Sequence, residues 1–102
     1  MNARKEFEEF ILTSSSTVKC ASITIRLDYQ MARVCNLRVG YTKEELLSFL
    51  IDLDLEYDSG YGTQIVFGTI WFKDGSWATR REYDGSEWWQ LNTLPEIPKR
   101  LL

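Results

Sequence analysis

The stretch Gly68-Thr-Ile-Trp-Phe-Lys-Asp-Gly-Ser-Trp-Ala-Thr-Arg-Arg-Glu-Tyr-Asp-Gly-Ser-Glu-Trp-Trp-Gln-Leu91 decides the fold of this 102-residue chain. It contains all four tryptophans and two Asp-Gly pairs, at positions 74–75 and 84–85. β-forming residues flank each pair, and Asp-Gly in that setting is the strongest short-range signal for a β-hairpin. The stretch therefore predicts three antiparallel strands, at residues 64–72, 76–83 and 86–91, joined by two tight turns.

The turns also predict which residues face each other. A two-residue turn at Asp74-Gly75 would pair Phe72 with Trp77 and Trp71 with Ala78. A two-residue turn at Asp84-Gly85 would set Arg81 opposite Trp88 and Arg80 opposite Trp89, which suits cation–π contacts. The second register also opposes Glu82 to Glu87, which is unfavourable, and a one-residue bulge is the alternative that would separate them.

The first 53 residues predict two helices and two strands. Asn2 can cap a short helix whose face carries Phe7, Phe10 and Ile11, followed by a connector to residue 17. Period-two alternation predicts strands at residues 18–28 and 33–40, the second with Val39 facing inward. A capping box, Thr42 to Glu45, opens a second helix with an apolar stripe. That stripe consists of Leu46, Phe49, Leu50 and Leu53.

Together these elements predict one α+β domain over residues 1–102. Their order is α-β-β-α-β-β-β, and the sheet is five-stranded, mostly antiparallel and covered by the helices on one face. Residues 92–102 form an extended tail. Its Pro95 and Pro98 cannot join a ladder, so we expect Leu94 and Ile97 to strap the tail across the sheet. A P-x-x-P ligand of the SH3 type is the alternative.

Composition excludes several chemistries. The chain has no histidine, which removes Ser-His and Cys-His dyads, histidine general bases and histidine-ligated zinc. Alternation directs Cys20 outward and Cys35 inward, so we expect free thiols. We therefore expect a protein that is not an enzyme and uses no cofactor or metal.

The chain also lacks a signal peptide's apolar block and any run long enough to span a membrane, so we expect a cytoplasmic protein.

The loop at residues 58–63 contains two glycines, as phosphate-binding loops often do. No Gly-Lys-Ser/Thr follows them, and acidic side chains precede them. We interpret the loop as a helix-to-strand turn, with phosphate binding or another kind of binding loop as the alternatives.

Two sets of residues are candidate binding surfaces. Residues 44–58 contain six acids and no base, which indicates either a solvated face or an acidic patch for a basic partner. The acids are Glu44, Glu45, Asp52, Asp54, Glu56 and Asp58.

The second candidate is the aromatic and arginine-rich part of the sheet. Trp88 and Trp89 are adjacent in a strand, so one of them should be exposed. The alternatives are edge packing, a protein interface and a platform for stacking a base. Catalysis by Arg80, Arg81, Glu82 and Glu87 is not distinguished from surface ion pairing. The candidate set is Trp77, Arg80, Arg81, Tyr83, Trp88 and Trp89.

The final 45 or so residues resemble a group of small, uncharacterised bacteriophage and prophage proteins. The shared motifs are Gly-Thr-Ile-Trp at 68–71, Asp-Gly-Ser-Trp at 74–77, Glu-Tyr-Asp-Gly-Ser-Glu-Trp-Trp at 82–89 and Pro-Glu-Ile-Pro at 95–98. The resemblance implies a phage origin and assigns no catalytic residue. Small acidic phage proteins are often stoichiometric inhibitors of host machinery, including anti-CRISPR and anti-restriction factors.

We therefore expect a non-enzymatic phage protein that binds and inhibits a host protein, with a defence component as the leading candidate. A basic nucleic-acid-binding protein would suit the acidic residues, whereas direct binding of nucleic acid or membrane is not expected. The alternatives are a protein that sequesters a nucleotide signal on the tryptophans and arginines, and a virion or assembly component. Oligomeric state stays open, and a homodimer is compatible with the free edges of the sheet.

Overall fold

The computed structural model describes residues 1–28, 30–58 and 62–102 and has the predicted α+β architecture. The elements follow the order α-β-β-α-β-β-β, and a short 3-10 helix, Lys99–Leu101, lies in the tail. Their bounds are α1 Ala3–Leu12, β1 Val18–Arg26, β2 Ala32–Leu37, α2 Lys43–Leu53, β3 Val66–Phe72, β4 Trp77–Tyr83 and β5 Ser86–Asn92.

The five strands form one sheet in the order β2-β1-β3-β4-β5. All neighbouring pairs are antiparallel. Strands β2 and β5 are therefore the two edges. In β1 the register shifts between Val18 and Cys20, so Val18 is buried like Ala21 although simple alternation would separate them.

Both helices begin as the sequence predicts. The Asn2 side chain accepts a hydrogen bond from the backbone N–H of Lys5 at 2.9 Å, which satisfies one free donor of the first turn of α1. Thr42 and Glu45 form the complete capping box of α2.

The helices cover one face of the sheet and form the core with it. Phe7 of α1 meets Phe49 of α2 edge to face, with ring centroids 5.4 Å apart. Phe10 lies 6.5 Å from the ring of Phe72 and 6.3 Å from that of Trp89, which ties α1 to β3 and β5. Aromatic pairs at these distances contribute about 0.5–1.5 kcal/mol each beyond their area burial.

The second hairpin has the predicted register. Asp84 and Gly85 both have positive φ, 52° and 86°, as a two-residue type I′ turn requires. Arg80 lies opposite Trp89 and Arg81 opposite Trp88, and no bulge separates Glu82 from Glu87.

The first hairpin differs from prediction by one residue. Trp71 pairs with Trp77 and Ile70 with Ala78, because three residues rather than two connect Phe72 to Ser76. Gly75 has φ 90°, and the Asp74 carboxylate accepts hydrogen bonds from the backbone N–H and hydroxyl of Ser76. A three-residue loop with a left-handed glycine is the next most common hairpin connection.

Predictions at the ends of the strands were wrong. β2 ends at Leu37, so Val39 is 61% exposed instead of inward-facing, and Gly40 with φ 79° turns the chain toward α2. The tail is not strapped to the sheet, since Leu94 is 77% and Ile97 60% exposed. The two prolines of the tail remove backbone donors that would have attached it to a neighbouring strand.

The prediction of free thiols is confirmed for both cysteines. Cys35 is buried on the helix-covered face, and Cys20 is half-buried on the opposite face. The loop predicted at residues 58–63 as a turn or a phosphate cradle lies partly, at residues 59–61, outside the described residues.

Candidate functional site

The face of the sheet opposite the helices is the main candidate surface. Its side chains occupy alternate strand positions and are exposed or half-buried, whereas the intervening positions are mostly buried against α1 and α2. We call this surface the open face. Its residues are Cys20, Ser22, Thr24, Arg26, Ala32, Val34, Asn36, Phe67, Thr69, Trp71, Trp77, Thr79, Arg81, Tyr83, Ser86, Trp88, Gln90 and Asn92.

Three of the four tryptophans lie on the open face. Trp71 and Trp77 are cross-strand partners on β3 and β4, and Trp88 lies on β5 opposite Arg81. Trp71 is 42% and Trp88 40% exposed, so a large part of each ring contacts solvent. Tryptophan side chains with this degree of solvent exposure on one surface are typical of an interaction site.

A row of small polar residues crosses the open face beside the tryptophans. Ser22, Thr69, Thr79 and Gln90 are successive cross-strand partners. Hydrogen bonds hold this row in place: the Ser22 hydroxyl donates to Asn36 Oδ1 at 2.8 Å, and Asn92 Nδ2 donates to Thr79 Oγ1 at 3.0 Å. The face therefore offers apolar rings next to fixed polar groups.

The charges of the open face are basic. Arg26 and Arg81 are the charged members of the set, and no acid occupies an open-face position among the described strand residues. The guanidinium of Arg26 lies 5.4 Å from the centroid of the Phe67 ring, a cation–π contact that orients it along the surface.

Two predicted members of this surface, Arg80 and Trp89, lie instead in the interior. Arg80 is 9% and Trp89 7% exposed, and the arginine carbon Cζ lies 4.9 Å from the indole centroid. Of the two predicted cation–π pairs, this one is present but faces the helices; Arg81 and Trp88 are ladder partners, but the described residues show no cation–π contact between them. The prediction that one of the adjacent tryptophans would be exposed is confirmed, since Trp88 is 40% exposed.

Arg80 is the centre of a buried polar cluster with Glu6, Tyr57 and Glu87. Its Nη2 donates to Glu87 Oε1 at 2.7 Å and to the Tyr57 hydroxyl at 3.1 Å, and its Nη1 lies 3.0 Å from Glu6 Oε1. The Tyr57 hydroxyl in turn donates to Glu6 Oε1 at 2.6 Å. Burial, followed by this hydrogen bond to Glu6, raises the pKa of Tyr57 far above its ordinary value, so the phenol stays protonated.

Glu87 connects that cluster to the backbone of β3. Its carboxylate accepts hydrogen bonds from the N–H groups of Ile65, at 2.7 Å, and Val66, at 2.9 Å. These contacts fix the point where β3 begins. Glu87 therefore has a structural role: its buried carboxylate is hydrogen-bonded to the backbone, and Arg80 balances its charge.

The acidic candidates form two groups with different surroundings. Glu44, Glu45 and Asp52 line one shallow depression along α2. Arg38 donates two hydrogen bonds to Glu45, at 2.7 and 2.9 Å, and these lower the pKa of Glu45 from 4.5 to about 2.

The other group lies beside the start of α1. Asn2 Nδ2 donates to Asp54 Oδ1 at 2.9 Å and to Glu56 Oε1 at 3.1 Å, and Glu56 also lies 3.7 Å from the terminal amine of Met1. Asp58 is exposed. Several of the six carboxylates therefore already have partners within the chain, and the stretch does not present one uniform patch.

Sequence reasoning missed Trp71, Phe67 and Arg26 as members of the candidate site. The one-residue error in the first hairpin accounts for Trp71, because it paired this residue with a buried alanine. The available signal was the alternation of β3 itself, which puts Phe67, Thr69 and Trp71 on one side.

The chain matches no protein-family model, no curated protein and no solved structure. In the part of the chain that the structure describes, neither α1 nor α2 has the length and apolar character that crossing a membrane requires. Within the same residues, no three Cys, Asp or Glu side chains are grouped closely enough to hold a metal ion.

Proposed function

We propose that this chain is a non-enzymatic binding protein whose open face docks onto a protein of a bacterial host and blocks it. The observation that carries the binding surface is the exposure of Trp71, which pairs with Trp77, and of Trp88, which lies on the same uncovered face of the sheet. The host origin of the partner, its role in defence and a cytoplasmic site of action rest on the resemblance of residues 68–98 to phage proteins.

The composition of the open face favours a protein partner over nucleic acid. Protein interfaces are enriched in tryptophan, tyrosine and arginine and depleted of lysine, aspartate and glutamate, and the open face has this composition. Single-stranded nucleic acid requires a positively charged groove along its backbone. The open face has two arginines, and the chain as a whole carries a net charge of −3.

The open face is also a better docking surface than the acidic stretch. Glu45 is held by Arg38, and Asp54 and Glu56 are held by Asn2, so a basic partner would have to compete with these contacts. Exposed ion pairs contribute about 0–1 kcal/mol each. A buried tryptophan anchor commonly contributes 2 kcal/mol or more.

A nucleotide ligand is the second candidate, favoured by the adjacency of Arg81 and Trp88 on an exposed strand. An indole can stack on a base while a guanidinium binds phosphate. This function predicts a ligand-dependent rise in melting temperature and quenching of tryptophan fluorescence. A screen of cyclic and ADP-ribose-type nucleotides without either effect would exclude it.

The first prediction concerns the exposed tryptophans. Tagged protein incubated with bacterial lysate should capture a stoichiometric partner, identified by mass spectrometry and then purified for calorimetry. Trp71→Ala and Trp88→Ala should each weaken the purified complex by about 2 kcal/mol, roughly thirtyfold in Kd, because each removes an anchor from the interface.

Ile51→Ala is the matched control, since Ile51 is 65% exposed on α2 and lies away from the open face. It should leave the Kd unchanged, and circular dichroism should show that all three variants are folded. If Ile51→Ala weakens the complex and the tryptophan variants do not, the open face is not the docking surface.

A further inference from the structure

The two edges of the sheet are protected to different degrees. β2 carries Arg33, whose guanidinium donates to the Asp52 carbonyl at 3.2 Å, and Arg38 follows the strand directly. β5 contains no lysine, arginine or proline, and its single charged residue, Glu87, is buried. It also pairs with β4 over seven positions without a bulge. Charges, prolines and bulges are the usual means of blocking an edge, so β5 is the unblocked one.

The turn at Asp84-Gly85 determines which backbone groups of β5 face the free edge. A two-residue turn makes Tyr83 and Ser86 a hydrogen-bonded pair, and such pairs alternate along an antiparallel ladder. The residues between them, Glu87, Trp89 and Leu91, therefore direct their N–H and C=O groups away from β4. The edge thus offers donors and acceptors at alternate positions, although the Leu91 carbonyl already accepts a hydrogen bond from Gln90 Nε2 at 3.2 Å.

β5 also exposes apolar side chains on both sides of the sheet. Trp88 is 40% exposed on the open face, and Leu91 is 42% exposed on the helix-covered side. An added strand would cover part of both residues. The unblocked edge and the apolar groups beside it therefore indicate an interaction along β5.

From these features we propose that β5 pairs antiparallel with β5 of a second copy, so that two five-stranded sheets become one continuous sheet. The register centred on Trp89 uses every outward-facing residue of both strands: Trp89 opposes its symmetry mate, and Glu87 opposes Leu91 of the second copy. This register sets no like charges opposite each other, and it places Trp88 against Gln90 of the second copy on the open face. The proposal does not rest on the function proposed above, although both involve Trp88, which the added strand would cover in part.

Sedimentation equilibrium over a range of protein concentrations tests the association, and residue-resolved amide hydrogen exchange tests its location. A reversible monomer–dimer equilibrium is expected, with the amides of Glu87, Trp89 and Leu91 becoming protected as concentration rises. Leu91→Pro should weaken the dimer at least about tenfold, because it removes an outward donor from each copy and leaves the ladder to β4 unbroken.

Leu94→Pro is the matched control: it makes the same change at an exposed leucine beyond the strand and should leave the dimer intact. If Leu91→Pro does not fold, Leu91→Lys replaces it, since lysine blocks an edge without breaking the ladder and should also dissociate the dimer. Monomers at every concentration would overturn the proposal. A dimer without protection of the β5 amides would do the same, as would β5 amides protected only when a different protein is bound.

Discussion

Arg80 was predicted as a surface residue, and the structure buries it. The alternation of arginine and tryptophan across the second hairpin predicts the Arg80–Trp89 pair, and the pair is present at 4.9 Å. Its location in the interior could not be predicted from the hairpin alone, because the pattern does not say which face the helices cover. Two carboxylates, Glu6 and Glu87, together with Tyr57 allow the charge to be buried there.

A prediction at this scale follows from the buried cluster. Arg80→Met should destabilise the protein by about 3–5 kcal/mol, because it leaves the carboxylates of Glu6 and Glu87 buried without their cation. Urea denaturation followed by circular dichroism measures the change. Arg81→Met is the control at the adjacent, exposed position and should change the free energy of unfolding by no more than about 0.5 kcal/mol. Equal effects of the two substitutions on the free energy of unfolding would show that the buried cluster does not stabilise the protein more than an exposed arginine does.

At the scale of elements, the sequence predicted correctly those caps and turns that depend on only a few neighbouring residues. The capping box of α2, the Asn2 cap and the Asp84-Gly85 turn are local, and all are confirmed. The Asp74-Gly75 turn carries the same dipeptide but forms a three-residue loop. There the Asp74 side chain caps Ser76, an interaction that the dipeptide alone does not specify.

Gly68 within β3 has a structural role that the sequence patterns did not predict. It has φ 146° and pairs with Ile23 of β1, and a Cβ added to it would lie 2.8 Å from Ile23 Cα and even closer to the Ser22 carbonyl. A residue with a side chain would therefore have to push β1 and β3 apart at the centre of the sheet.

Gly68→Ala should accordingly destabilise the fold by about 3 kcal/mol or more, because backbone strain is added to a clash with a neighbouring strand. Gly40→Ala separates the two contributions. Gly40 also has positive φ, 79°, but a Cβ there would meet no atom within 4 Å, so about 1 kcal/mol is expected. Denaturant midpoints of the two variants give the comparison, and a smaller loss for Gly68→Ala than for Gly40→Ala would contradict it.

On the scale of the whole molecule, the exposed aromatic side chains and the acids of α2 lie on opposite sides of the sheet. The open face carries Arg26 and Arg81, whereas the helical side carries Glu44, Glu45 and Asp52 among other acids. The sequence predicted the acids and Arg81 as candidate residues, but it did not predict Arg26 or the separation of the two groups. That separation depends on the strand register and on the helix-covered face, which are properties of the assembled sheet.

This division predicts the electrostatics of partner binding. Arg81→Glu should slow association with the captured partner about tenfold at low salt and weaken its salt dependence, because steering depends on the charge of the docking face. Stopped-flow fluorescence of the tryptophans measures the rate. Glu44→Lys combined with Asp52→Lys should not slow association, because these acids lie on the other side of the sheet and their loss makes the chain less negative. If this double variant slows association and Arg81→Glu does not, the acidic residues are the docking surface, as expected for an acidic patch that binds a basic partner.

The positions of the two cysteines make the open face accessible to chemical labelling. Burial raises the pKa of the Cys35 thiol, which suppresses the thiolate that a maleimide attacks. Cys20 is only half-buried and lies opposite Trp71 in the ladder. A fluorophore or spin label should therefore attach to Cys20 first. The native sequence thus supplies a reporter next to the tryptophans, with no cysteine to be introduced or removed.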